Sequence, residues 1–330
     1  MRLPKLLIPV LLAALACAAC ASPSRYAARA QEPALDFSRY GFNPETTLAS
    51  RVAEPPDFVL DYLKKMDERP GYAPHTLSPQ EREMVEHKLE LLPRGYQEIL
   101  RERLLGLYFV DDFLGSGYTE FVPDGQGRVF SFMVINSDAL NAPLSDWLTQ
   151  KENTAFSQDT DRVKVEVDCG ADAPALPWVL LHEATHVADY AENFTPYVEP
   201  AVWELQGKPK RSSAFTKGIW VSYAVPRREI KWPYSGNVRF YGLGKGPGLA
   251  LSRAPEVYQA LSRTPFASLY ASQNWAEDLA EAMTLYHMFK EMGAPLAIRV
   301  FQDGKPVCTF QPFAGAEDLR AKRNLPEKLL

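Results

Sequence analysis

The chain has 330 residues, 46% of them hydrophobic, with a formal net charge of −5 and a pI near 5.7. That composition is globular, and a mildly acidic chain without a basic stripe excludes an electrostatic footprint for nucleic acid. Of four cysteines only Cys169 and Cys308 lie beyond the first twenty residues, without the close spacing of a cysteine-built zinc site.

Residues 1–20 read as an export leader. Arg2 and Lys5 make a basic start, and Leu6 to Ala19 is an apolar run of about 14 residues, short of the ~20 that span a bilayer. Cleavage before Cys20, with lipidation of that cysteine, predicts a bacterial lipoprotein, with Cys17 where Leu is commoner. Cleavage after Ala-x-Ala at 19–21 is the alternative. Either way the mature chain is expected outside the cytoplasm, periplasmic or anchored at the outer membrane, where Cys169 and Cys308 can pair.

Residues 21–50, a mixture of Ala, Ser, Arg, Gln and Pro, predict a flexible tether. One domain is expected over 51–330. Its first part, 51–105, reads as helical: Ser78-Pro79-Gln80-Glu81 is a helix start, Pro93 a stop, and a second helix pattern runs over Gly95–Leu107. Strand patterns follow at Leu107–Val110, Arg128–Ile135 and Val163–Val167, with a turn at Gly115-Ser116-Gly117. Residues 196–265 form an aromatic-rich insertion with Trp203, Trp220, Trp232 and Tyr241, either lining a cleft or packed inward. The basic run Lys208–Arg211 reads as a solvated loop. After Gly315 the chain is charged and reads as a fraying tail, with a short surface helix within 317–330.

His182-Glu183-Ala184-Thr185-His186 carries the chemistry. It follows the apolar run Pro177–Leu181, as a helix with a buried side requires. Residues four apart on a helix lie about 40° apart around the axis, so both imidazoles can face one ion. Glu183 reaches the same space and can take a proton from a water there. Zinc is the expected cofactor. A catalytic zinc usually has three protein ligands, and three residues can supply the third. Glu277 lies on a helix pattern over Asn274–Met283, sharing a face with Glu281, which can orient a ligand histidine. Glu192 lies six residues past His186, but reaching the ion needs a sharp turn at 189, where Asp stands instead of Gly. His287 falls about 280° round the helix from Glu277.

His182-Glu183-x-x-His186 with a distant Glu277-x-x-x-Glu281 resembles the gluzincin class of zinc peptidases. The text Glu277-Asp278-Leu279-Ala280-Glu281-Ala282 is similar to the glutamate helix of the anthrax-lethal-factor-like catalytic domain. The resemblance covers roughly residues 178–190 and 270–287. It implies Glu277 as the third ligand, and a tyrosine seven residues earlier, here Tyr270, assisting the transition state. It implies an α+β, zincin-like metallopeptidase fold, helix-rich with a small mixed sheet before the His182 helix. One edge strand would bind extended substrate, and Arg128–Ile135 and Val163–Val167 are the candidates. The sequence departs from thermolysin's pattern in carrying Glu281 where Asp is expected. The expected function is zinc-dependent hydrolysis of peptide bonds in the bacterial cell envelope, with a peptide or protein as substrate. The alternatives are a hydrolase of cell-wall peptide amides and a non-catalytic envelope lipoprotein on the same scaffold.

Overall fold

The computed structural model describes residues 31–170, 173–198, 212–243, 246–293 and 295–330. The leader, Cys20, the first part of the tether, Trp203 and Lys208–Arg211 lie outside the described residues. Within them the chain is α+β, with eight α-helices and several small sheets. No helix among the described residues is long and apolar enough to cross a membrane.

The helices before the sheet follow local chemistry. Helix α1 (Asp57–Met66) buries Val59, Leu60, Tyr62 and Leu63 along one face. Helix α2 (Pro79–Glu90) starts with a capping box, in which Ser78 and Glu81 satisfy each other's backbone N–H. Helix α3 (Arg94–Arg103) is shorter than the pattern over Gly95–Leu107 predicts. The buried Arg51 guanidinium donates to the carbonyls of Leu100, Arg101 and Leu104 at 2.6–2.8 Å. A cation on the last carbonyls closes a helix, and the chain passes directly into a strand.

Strands β1 (Val52–Ala53), β2 (Ala73–Pro74), β3 (Leu104–Asp111), β4 (Gly117–Pro123) and β5 (Val129–Asn136) form a five-stranded sheet. Its order is β1-β3-β5-β4, with β2 also on β3. Strands β3 and β5 are parallel and β4 is antiparallel to β5. Both faces are covered, so β3 and β5 are mostly apolar and buried almost throughout rather than alternating. Leu104, Leu107 and Phe109 enter the main core on one side, and Leu105, Tyr108 and Val110 a second cluster on the other.

This order corrects the expectation for a substrate strand at Arg128–Ile135. Strand β5 is interior, and among the described residues β4 is the edge. Asn136 N–H donates to the Ser116 carbonyl, which fixes the alternation of an antiparallel pair. Gly117, Thr119 and Phe121 therefore turn their main-chain groups away from β5.

The remaining strands are β6 (Phe156–Ser157), β7 (Val163–Asp168), β8 (Trp220–Ser222), β9 (Val225–Pro226), β10 (Leu249–Ala250), β11 (Ala297–Gln302) and β12 (Lys305–Phe310). Strand β7 alternates buried and exposed, as its sequence predicts, and ends a three-stranded sheet of order β12-β11-β7. It is not an open edge either. Helix α4 (Leu144–Asn153) covers it: Thr149 and Ser145 hydroxyls accept from the N–H groups of Val167 and Cys169, and Asn153 donates to the Val165 carbonyl. Cys169 follows β7 and Cys308 sits on β12, with β11 between them, and both are free thiols.

Helix α5 (Ala175–Glu192) is buried on most sides and ends at Asn193 in the left-handed region. Helices α6 (Ala254–Leu261), α7 (Trp275–Met292) and α8 (Ala316–Lys322) complete the domain. The tail does not fray. Arg323 is fully buried against Asp278 with two contacts of 2.7 and 2.9 Å, and the Leu329 carbonyl accepts from His287. In the described part of the aromatic insertion, Trp220, Trp232 and Phe240 pack into the main core.

Candidate metal centre

The first wall of the site is α5. Thr185, a weak helix former, returns its hydroxyl to the Leu181 carbonyl at 2.7 Å and meets the Tyr96 hydroxyl at 2.8 Å. This polar pair fixes the buried side of the helix. One turn apart on another side, His182 and His186 bring their Nε2 atoms to 3.3 Å of each other.

The second wall is α7. Asn274 caps it, accepting from the N–H groups of Ala276 and Glu277 at 3.0 Å. That places Glu277 in the first turn, where the helix dipole favours a carboxylate. Glu277 Oε2 lies 3.1 Å from His182 Nε2 and 3.4 Å from His186 Nε2. The three donors form a group able to hold a metal ion. Ligands about 2.0–2.1 Å from a tetrahedral zinc lie about 3.3 Å from one another. The observed triangle of 3.1, 3.3 and 3.4 Å has those edges.

Electrostatics follow from burial and crowding. Burial works against charge on Glu277, but His186 and His182 outweigh it and hold its carboxyl well below the usual range. Burial alone would lower His182, yet Glu277 and Glu281 push it up to about 9. Burial pushes the Glu183 carboxyl up, against the pull of both imidazoles. Burial also holds the Tyr270 phenol well above its ordinary value, so it stays a donor.

Glu281 stands behind His182, its Oε1 3.3 Å from Nδ1. Lys151 on α4 reaches the same oxygen at 2.7 Å, and the Ser268 hydroxyl donates to Oε2 at 2.8 Å. The Tyr270 ring lies 5.9 Å from that of His182, edge-on to Phe240. Glu183 lines a cavity of about 20 Å³ with Gly117, Lys151, Tyr241 and Tyr270, room for roughly one water. Strand β4 closes on Glu183: the Thr119 hydroxyl donates to Oε2 at 2.7 Å.

His182, Glu183, His186, Tyr270, Glu277 and Glu281 thus meet at one place. The other two candidates for a third ligand lie elsewhere. Glu192 pairs with Lys328 at 2.7 Å. Asp189 grips the backbone N–H and hydroxyl of Thr195, so it anchors the loop after α5 rather than turning the chain back toward His182 and His186. His287 is bound to the Leu329 carbonyl, and burial lowers it to about 4. Lys151, Ser268, Thr119 and Tyr241 carry no motif. Only the glycine at 117, in a strand that gains nothing from it, marks a close approach. Comparisons with protein-family models, curated proteins and solved structures return no match.

Proposed function

We propose that the chain is a zinc-dependent peptidase of gluzincin type on a zincin-like fold, acting on peptide bonds in the bacterial cell envelope. The observation that carries this reading is the donor triangle of His182, His186 and Glu277, with Glu183 one residue from the first ligand. His182 Nε2, His186 Nε2 and Glu277 Oε2 would hold the ion. Bound zinc supplies a Lewis acid that polarises a carbonyl and brings the pKa of a water toward about 7.

The chain's own residues do the rest. Glu183 takes the proton of the attacking water and returns it to the leaving amine. The Tyr270 phenol donates to the oxyanion of the tetrahedral adduct. Glu281 orients His182, with Lys151 and Ser268 fixing its carboxylate. An extended peptide would pair with the outward main chain of Gly117 and Thr119, by strand addition. Export and a lipid anchor at Cys20 are part of the same proposal, from the leader pattern.

Metal content by mass spectrometry tests the centre. The expected result is about one zinc per chain, lost in the His182→Ala/His186→Ala double variant. A well-folded wild type that takes up no zinc after reconstitution overturns the reading. Digestion of unfolded casein against purified cell wall then separates protein from cell-wall peptide substrates.

A further inference from the structure

We infer that Thr119 is a positioning residue for Glu183, so that the strand edge offered to an extended peptide also aims the base. This rests on the hydrolase reading above.

Alternation along β4 puts Gly117, Thr119 and Phe121 on the face toward α5, and Tyr118 and Glu120 on the other. Two of the three inward positions touch Glu183. Thr119 Oγ1 donates to Glu183 Oε2 at 2.7 Å and also lies 3.2 Å from the Glu183 carbonyl. At Gly117 an added Cβ would fall 2.7 Å from Glu183 Oε1 and 2.8 Å from its Cγ. Gly117 has no positive φ. Its lack of a side chain is therefore a matter of space, since glycine weakens a strand. Glu183 is 4% exposed, so its carboxylate cannot swing aside into solvent.

The carboxylate is thus held from both ends, by a hydroxyl on one oxygen and a bare backbone at the other. A glutamate carries three side-chain torsions, and a general base must keep one oxygen within hydrogen-bond reach of the water it deprotonates. Thr119 removes that freedom by occupying Oε2 and leaving Oε1 for the proton. It keeps its own proton throughout, so it takes no part in the transfer. Its main-chain N–H and C=O face away from β5, on the side where a peptide strand would lie. Substrate register and base orientation therefore meet in one residue.

The test uses the zinc-loaded full chain with two probes, acetohydroxamate binding by calorimetry and turnover of dye-labelled unfolded casein. Acetohydroxamate passes a proton to the base when it binds, so it reports Glu183 without a substrate. Thr119→Val keeps the shape and removes the hydroxyl. It is expected to weaken acetohydroxamate and lower kcat by about 10- to 100-fold, with KM, zinc content and melting temperature unchanged. Thr119→Ser is expected to recover both readouts to within about 3-fold. Wild-type acetohydroxamate affinity in Thr119→Val, or zinc lost in step with binding, overturns the positioning role. Failure of Thr119→Ser to recover overturns it too. A wild type that takes up no zinc overturns the hydrolase reading and this inference with it. A zinc-loaded wild type with an unaffected Thr119→Val overturns this inference alone.

Discussion

Lys151 Nζ lies 2.7 Å from Glu281 Oε1, with the two side chains only 6% and 3% exposed. The same ammonium sits 4.0 Å from the centre of the Tyr270 ring. One buried cation therefore holds the carboxylate behind His182 and the face of the phenol beside it. Removing the cation leaves a buried carboxylate with only Ser268 and His182 beside it. Lys151→Met is expected to cost about 3–5 kcal/mol of stability in urea unfolding. The Lys151→Met/Glu281→Leu double variant is expected to cost less than the single one. A single variant within about 1 kcal/mol of wild type would count against the pair as a structural tie.

Glu183→Gln separates binding from chemistry. The amide keeps the size of the side chain and loses its basicity. Zinc content by mass spectrometry is expected to stay at the wild-type level, and turnover of unfolded casein to fall by about 100-fold or more. Retained turnover would remove Glu183 from the role of base.

Glu277→Gln is expected to behave in the opposite way. The carboxylate oxygen 3.1 and 3.4 Å from the two imidazoles becomes a neutral amide group. Zinc affinity, measured by competition with a chelator, is expected to drop by at least about 10-fold, and stability to change far less. Unaltered zinc affinity would exclude Glu277 from the ligand set.

His287 predicts a pH dependence. It is 1% exposed, and burial lowers it to about 4 from 6.5. The unfolded chain therefore binds its proton at a higher pH than the folded one. Its contribution is complete above about pH 6.5 and is lost as the pH falls through 6.5 toward 4, at most about 3 kcal/mol. Glu152, raised by burial to about 7, acts with the opposite sign, losing stability as pH rises from 4.5 to about 7. Urea titrations of wild type against His287→Asn between pH 4 and 7.5 isolate the histidine. Parallel stability curves for the two proteins would show that His287 does not titrate with folding.

Arg323 and Asp278 are both fully buried, and Trp220 Nε1 donates to the same carboxylate at 2.8 Å. Asp278 is the neighbour of Glu277, so this triad holds the first turn of α7 in place. Arg323→Ala is expected to destabilise the chain by about 3–5 kcal/mol, and Arg323→Ala/Asp278→Asn by less. The comparison of their thermal midpoints checks it. Equal midpoints for wild type and Arg323→Ala would show the triad to be dispensable.

How much of this was legible in the sequence depends on how local each cause is. His182, Glu183 and His186 lie within one turn of a helix, so spacing alone brings them together. Glu277 and Glu281 lie on a helix pattern that the sequence shows, while the cap at Asn274 shows only in the structure. The end of α3 was not legible, because the apolar pattern continues through Leu104-Leu105-Gly106-Leu107. Its boundary is set by Arg51, far away in sequence. Strand β4 mixes Gly, Glu and Pro, and its inward face shows only against α5. Arg323 stands between Lys322 and Asn324 like a solvated tail residue. Nothing nearby tells that Asp278, 45 residues earlier, receives it.

His182 and Glu277 meet across a sequence separation of 95, and Lys151 and Glu281 across 130. Closing such loops costs chain entropy before any contact rewards it, and contacts of that span form slowly. The two histidines can be neighbours in an isolated helical turn, but the third donor reaches them only after α5 and α7 have docked. On the proposed reading, tight coordination would therefore be a property of the finished tertiary structure. An ion added during refolding should follow the last kinetic phase and leave the early ones unchanged.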